Sequence, residues 1–284
     1  MVRFKKQIHK QFPHLGKADL HIHSNFSDGK PSIEEILEYV ENETDFCVIA
    51  ITDHDTINGA IYAKELMAKK KYRFDLVVGE EVSSNEGHIL ALYINEKIEP
   101  LQPAHEVIKN IHKQGGIAIA AHPFLTTRFN SNKVYAAKGI GAAGLIKEKN
   151  GLDGIETVNG IPTYEQENLK AKYINQLLLF EAEVGGSDAH ILESIGKGFT
   201  IFEGQTASDL KEAILDSQTQ SMNDKWELNG IFRYAFFMWP KGFRILIRTI
   251  VFGPRKKQAE IIKFPSHRRM EKEIKSESAK QITE

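Results

Sequence analysis

The chain has 284 residues, 41% hydrophobic and 26% charged, a globular balance with enough apolar material for a sizeable core in one large domain or two small ones. Its net charge of −1 conceals a division, because residues 1–221 sum to −8 and residues 222–284 to +7. One cysteine, Cys47, excludes an internal disulfide framework; the basic start MVRFKKQIHKQFPHLG lacks a secretory apolar run, and no stretch of about 18 uncharged apolar residues exists to cross a membrane, so a reducing, cytoplasmic setting is expected.

After an N-terminal extension over 1–17, short apolar runs alternate with helical patterns to about residue 218. Strands are predicted at ADLHIH, CVIAITDH, DLVVGEE, HILALYI, GIAIAAH, GIETVN, AEVGGSDAH and GFTIFE. Ser32 with Glu35 and Thr163 with Gln166 have capping-box spacing and predict helix starts. CVIAI and GIAIAA are apolar throughout, as parallel strands buried on both faces are. This alternation argues an α/β fold, barrel or doubly wound, in a domain over 18–220.

Residues 221–284 form a basic amphipathic extension. Within it Pro240 can begin a helix and Gly253-Pro254 can end one. Lys241, Arg244 and Arg248 then line one face, while Phe243, Leu246, Ile247 and Ile250 form the other. Packing on its own barrel is the plainest role for such a helix; seating at the periphery of a membrane and contact with a polyanion are the alternatives. The polar end, RRMEKEIKSESAKQITE, reads as frayed or disordered.

The chemistry collects at strand ends. His21 and His23 end the first strand, Asp53, His54 and Asp55 the second, Glu80 and Glu81 the third, His122 a later one, and Asp188 with His190 another. In barrels the carboxyl ends of strands converge on one face, where sites are built. His88 opens a strand instead, and a tight turn after Glu81 can return it to that face. One histidine at a strand end is ordinarily a satisfied polar group. Six histidines and several carboxylates packed together without a metal would leave buried groups unpaired at ~1–3 kcal/mol each. Imidazole with carboxylate suits Zn, Mn or Fe rather than Ca. His21 and His23, two residues apart, lie on one side of a strand and can grip one ion.

DLHIHSNFSDG, ITDHDT, GEEVSS, HILALYI, AHP and GSDAH, in that order across roughly residues 18–205, resemble the motifs of the PHP (polymerase and histidinol phosphatase) superfamily, nearest its stand-alone phosphoesterases of the nucleotide phosphatase and exonuclease branch. The resemblance implies a distorted (β/α)7 TIM-like barrel holding two or three divalent ions. By motif, His21, His23, Glu81 and Asp188 would hold the first ion and Glu81, His88 and His122 the second, with Glu81 bridging. Asp28, His54 and His190 would hold the third. Glu81 is preferred to Glu80 because the family glutamate directly precedes a V-S or I-S pair; Glu80 then faces the other side of the strand. Metals a few Å apart would supply hydroxide at neutral pH and neutralise phosphate oxygens. Asp188, His190 and His54 are the expected catalytic residues, with His190 or His54, where not fully committed to a metal, protonating the leaving oxygen. Asp19, Asp53 and Asp55 are candidates to orient ligand imidazoles.

Arg128, Asn159 and Lys197 are the candidate substrate-binding residues, each with a solvated or structural role as its alternative. The 27 residues 95–121 between HILALYI and AHP hold one helix and a strand, so the inserted segment common in nucleotide-cleaving members is missing. The expected function is hydrolysis of a small phosphorylated substrate, a phosphomonoester or small nucleotide phosphoester. An amidohydrolase-like C–N hydrolase and a non-catalytic, metal-stabilised module are the alternatives. Nothing in the sequence specifies the oligomer.

Overall fold

The computed structural model describes residues 14–125, 138–252 and 264–281. In chain order its elements are β1 (Leu15–Ile22), α1 (Ile33–Glu43), β2 (Val48–Ile51), α2 (Asn58–Lys69), β3 (Asp75–Ser83), β4 (His88–Leu92), α3 (Ala104–Lys113) and β5 (Ile117–Ala120). There follow α4 (Gly141–Glu148), β6 (Gly154–Asn159), α5 (Glu165–Ile174), β7 (Ala182–Gly186), β8 (Gly198–Glu203), α6 (Ala207–Leu215), β9 (Gln220–Asn223), α7 (Leu228–Phe252) and α8 (His267–Gln281).

All of the described strands join one sheet in the order β7-β6-β5-β4-β3-β2-β1-β8-β9. β1, β2 and β3 are parallel neighbours, as are β5, β6 and β7, and β4 runs against both β3 and β5. β8 runs against β1 and β9 against β8, so seven strands end on one side of the sheet, and β4 and β8 begin there. The sheet curls into a nearly closed, TIM-like barrel. Its seam is drawn together just beyond β7, where the His23 amide donates to Ala189 O at 2.9 Å and the Ala189 amide to His21 O at 3.2 Å.

The all-apolar β2 and β5 are buried along their whole length, as strands covered on both faces must be. One apolar cluster lies inside the barrel and includes Leu20, Leu90, Ile119, Val184 and Phe202; it forms the floor of the site. The other lies between sheet and helices, where α1 buries Ile33, Ile36, Leu37 and Val40 at helical spacing. β1 changes register between Asp19 and Ile22, a bulge that lets Leu20 join the inner cluster while His21 also points inward.

Several sequence expectations are corrected. β1 starts at Leu15, inside the expected extension, and β9 crosses the expected boundary at 220/221. β9 escapes the apolar reading because it is an edge strand, QSMN, with only Ser221 buried. Ser32 and Glu35 form their capping box, but Thr163 and Gln166 do not: α5 starts at Glu165 with Tyr164 at its cap and no side-chain cap bond. Thr206 and Asp209 form a box at α6 instead. α7 runs through Pro240 rather than starting there. The proline forfeits a bond to the Phe236 carbonyl, and both residues are exposed, so water can satisfy that carbonyl. The polar end, expected to be disordered, forms α8, which buries Met270 and Ile274 against the barrel's helices.

Candidate metal centre

The strand ends deliver their side chains to one place. His21 and His23 come from β1 and the residue after it, His54 and Glu81 from the ends of β2 and β3, His88 from the start of the reversed β4, and His122 from beyond β5. Asp188 and His190 follow β7, and Asp28 arrives on the loop before α1. Backbone strain helps to aim two of them: His122 and Asp188 hold φ of 26° and 51°, a region that residues with a Cβ rarely adopt.

Glu81 is the hub. Its Oε1 lies 2.7 Å from His88 Nδ1 and 2.9 Å from His122 Nε2. Its Oε2 lies 3.0 Å from His54 Nδ1, 3.2 Å from His21 Nε2 and 3.3 Å from His23 Nε2. Asp188 Oδ1 is 3.2 Å from His23 Nε2 and 3.7 Å from His21 Nε2. Asp28 Oδ1 is 2.9 Å from His190 Nε2 and 3.8 Å from His54 Nε2. Two donors sharing one ion about 2.1 Å away sit roughly 3–4 Å apart; the separations from 3.0 to 3.8 Å fall in that range, while the contacts at 2.7 and 2.9 Å are of hydrogen-bond length.

Four overlapping groups have donor atoms all within 4.8 Å of one another: His23, Asp28, His54 and His190; His21, His122 and Asp188; His21, His23 and Glu81; and His54, Glu81 and His88. Every expected ligand falls into at least one group, and His21, His23, His54 and Glu81 each fall into two. The donor set fits divalent first-row cations, and the hydrogen bonding says why something positive is needed. His21 Nε2, both ring nitrogens of His23, His54 Nδ1, His122 Nδ1 and Glu81 Oε2 are buried without a hydrogen-bond partner.

Electrostatics point the same way. Burial pushes the Glu81 carboxyl up, but the charges of His54, His88 and His21 outweigh it and hold it well below the usual carboxylate range. Asp188 behaves alike, with burial opposed by His21, His23 and His190. Burial lowers His23, yet the neighbouring carboxylates of Asp188 and Glu81 carry it up to about 10. Burial dominates at His88, which is lowered. The carboxylates thus remain ionised only where positive charge surrounds them, a role that divalent ions can take over from protons on the imidazoles.

Glu156, in the middle of β6, was not among the expected site residues. Fully buried, it places Oε1 2.9 Å from His21 Nδ1, while its Oε2 accepts from the His122 amide at 2.6 Å. The strand GIETVN carries polar residues at Glu156, Thr157 and Asn159, so nothing in the sequence alone set this carboxylate apart. Asn159, expected to touch substrate, is buried; its Nδ2 donates to Asp188 Oδ2 at 3.1 Å and Glu156 Oε2 at 3.2 Å, so it ties these two together.

The three aspartates expected to orient imidazoles bond to the backbone and hydroxyls of the site's loops instead. Asp53 Oδ1 accepts from the Ser24 amide at 2.7 Å and its Oδ2 from the Ser24 hydroxyl at 2.6 Å, which anchors the loop carrying Asp28. Asp55 binds the Ser83 amide at 2.7 Å and hydroxyl at 2.9 Å. Asp19 accepts from the Gly196 amide at 2.8 Å and the Ser187 amide at 3.0 Å, and burial raises its carboxyl to about 6.

Glu80 points away from the centre: Oε2 accepts from the Ile98 amide at 2.9 Å, and burial pushes its carboxyl up to about 8. Lys197 bonds to Lys225 O at 2.9 Å and makes no hydrogen bond or ion pair with the ligand cluster. Arg128 lies outside the described residues. α7 passes over the mouth, with the Phe237 ring centroid 5.8 Å from that of His190. Burial, and then the charges of Asp188 and Asp28, push the Tyr234 phenol up.

Comparison with known proteins gives related assignments. The PHP-associated family model matches residues 167–219. An uncharacterized protein of Methanocaldococcus jannaschii is 41% identical over 119 residues, 38% of this chain and 68% of the relative. Among solved structures, a two-domain protein from Bacteroides vulgatus containing a predicted PHP-like metal-dependent phosphoesterase superposes with a TM-score of 0.57 at 19% identity, over 74% of this chain. This chain spans 65% of that protein's length. PsfC from Pseudomonas syringae matches with a TM-score of 0.56 at 15% identity, over 80% of this chain and 99% of its own.

Proposed function

The chain belongs to the PHP (polymerase and histidinol phosphatase) superfamily, and on that premise we propose that it is a metal-dependent phosphoesterase acting on a phosphomonoester or a small nucleotide phosphoester. The observation that carries this reading is Glu81, whose two oxygens are shared among five imidazoles with Asp188 alongside. His21, His23, Glu81 and Asp188 would hold one ion, and Glu81, His88 and His122 a second. Asp28, His54 and His190 would hold a third at the rim. Divalent Mn, Zn or Fe there would lower the pKa of bound water and neutralise the non-bridging oxygens of a phosphate.

The chain's own residues supply position and proton management. Glu81 holds the ligand sets at a fixed separation, because each of its oxygens serves a different histidine group. His54 and His190 retain 13% and 11% side-chain exposure, while His21 and His23 have none, so the rim pair meets an incoming substrate first. Whichever of the two is not committed to the third ion can hold the proton that the leaving oxygen needs. The segment between β4 and β5 holds only α3, so nothing inserted there covers a nucleotide base. The bridging position belongs to Glu81, and among the described residues no lysine pairs with it, unlike the arrangement expected of an amidohydrolase.

The test is phosphate release from a panel of phosphomonoesters, bisphosphates and small nucleotides after loading with Mn, Zn or Fe in turn. Turnover by the wild type that Asp188→Asn loses is the expected result. A fully loaded protein that cleaves no phosphoester with any of these metals is a non-catalytic module, and the reading fails.

A further inference from the structure

α7 has two unlike faces. Gly230, Tyr234 and Phe237 turn toward the protein, where the Trp226 indole also donates to Gly160 O at 2.8 Å and fixes the approach to the helix. Leu228, Phe232, Phe236 and Trp239 turn outward at successive steps of four, four and three residues, one stripe along the helix. All four are at least 70% exposed. Four large apolar side chains in one exposed row are a partner surface, not scatter. In the sequence the same spacing continues through Phe243, Leu246 and Ile250.

Charge identifies the partner. No Asp or Glu occurs between Glu227 and Glu260, while Arg233, Lys241, Arg244, Arg248, Arg255, Lys256 and Lys257 all fall in that interval. Beside the stripe, the Lys30 ammonium lies 6.0 Å from the Phe236 ring, and the neighbouring Glu193 is already paired with Arg233. The helix is not apolar enough to span a bilayer. Aromatic and aliphatic side chains on one face with Lys and Arg elsewhere are the composition of a helix that lies in the interface of an anionic bilayer.

We propose that α7 seats the protein on an anionic lipid surface through Leu228, Phe232, Phe236 and Trp239. A second copy of the chain is the competing occupant, but two such helices would bring their basic residues together with no acidic residue of the segment to offset them.

The experiment is sedimentation of the full-length protein with phosphatidylcholine vesicles, with and without phosphatidylglycerol, read alongside Trp fluorescence. Co-sedimentation with anionic vesicles, weakened by salt, is expected, together with a blue shift that Trp239→Phe diminishes. The double variant Phe232→Ser/Phe236→Ser should lower vesicle affinity about tenfold or more while its metal content stays that of the wild type. Failure to bind anionic vesicles, or equal binding by the double variant, overturns the proposal. A wild-type dimer that the double variant turns into monomer, with neither binding vesicles, assigns the stripe to self-association and overturns it too.

Discussion

Glu156 Oε1 lies 2.9 Å from His21 Nδ1, which leaves the opposite nitrogen of the ring directed at Glu81 and Asp188. This contact fixes the tautomer and the angle at which the imidazole meets an ion. Glu156→Ala removes that acceptor and the one serving the His122 amide, and should weaken metal binding about 10–100-fold. Competition against a chromophoric chelator measures it. An unchanged affinity would remove Glu156 from the site.

Adjacent glutamates on β3 should respond oppositely to the same change. Glu81→Gln deletes the shared charge at the hub and should strip the protein of most of its metal. Glu80→Gln replaces a buried carboxyl already held near neutrality by an amide of the same shape, and should leave metal content unchanged at neutral pH. Elemental analysis of the two purified variants decides; metal loss in Glu80→Gln and not in Glu81→Gln would reverse the assignment.

Asp53 acts at one remove. Asp53→Asn keeps one oxygen for the Ser24 N–H but sets an NH2 against the Ser24 hydroxyl, which loses its acceptor at a cost of about 1–3 kcal/mol. The thermal midpoint should fall by several degrees, and the site built with Asp28 should empty before the others. Metal stoichiometry measured with the midpoint checks both, and an unaltered midpoint with full loading refutes the anchoring role.

Gly186 closes the space behind the centre. A Cβ there would lie 2.5 Å from the His21 Cβ and 2.6 Å from Glu156 Oε1, too close for either to remain in place. Gly186→Ala should therefore reduce both stability and metal affinity, because strand and ligand must shift together. Calorimetry of the loaded and chelator-treated variant separates the two losses. A wild-type profile would mean that the strand yields without moving His21.

The sequence revealed most of the strands because their cores are continuous apolar runs, as in CVIAI and GIAIAA, and it revealed the clustered side chains because His, Asp and Glu interrupt those runs where they end. What it concealed depends on contacts across the barrel. Glu156 occupies an ordinary strand position, and its meaning appears only when β1 brings His21 to it. Asp53 resembles an acidic neighbour of His54, yet its work is done on Ser24, 29 residues away in the chain. Lys197 follows His190 closely in sequence but is turned aside to Lys225 by the β9–α7 connection. β9 and α8 lack strong apolar periodicity: among the described side chains β9 buries Ser221, and α8 buries Met270 and Ile274.

Every ligand position precedes residue 191, whereas the side chains that stand over the centre, Tyr234 and Phe237, come after it. Substitutions at Tyr234 or Phe237 would therefore alter what reaches the cluster without touching the residues that form it. On the proposed reading, what enters the site and what acts there are carried by different parts of the chain, so a change in the tail can alter the first without touching the second.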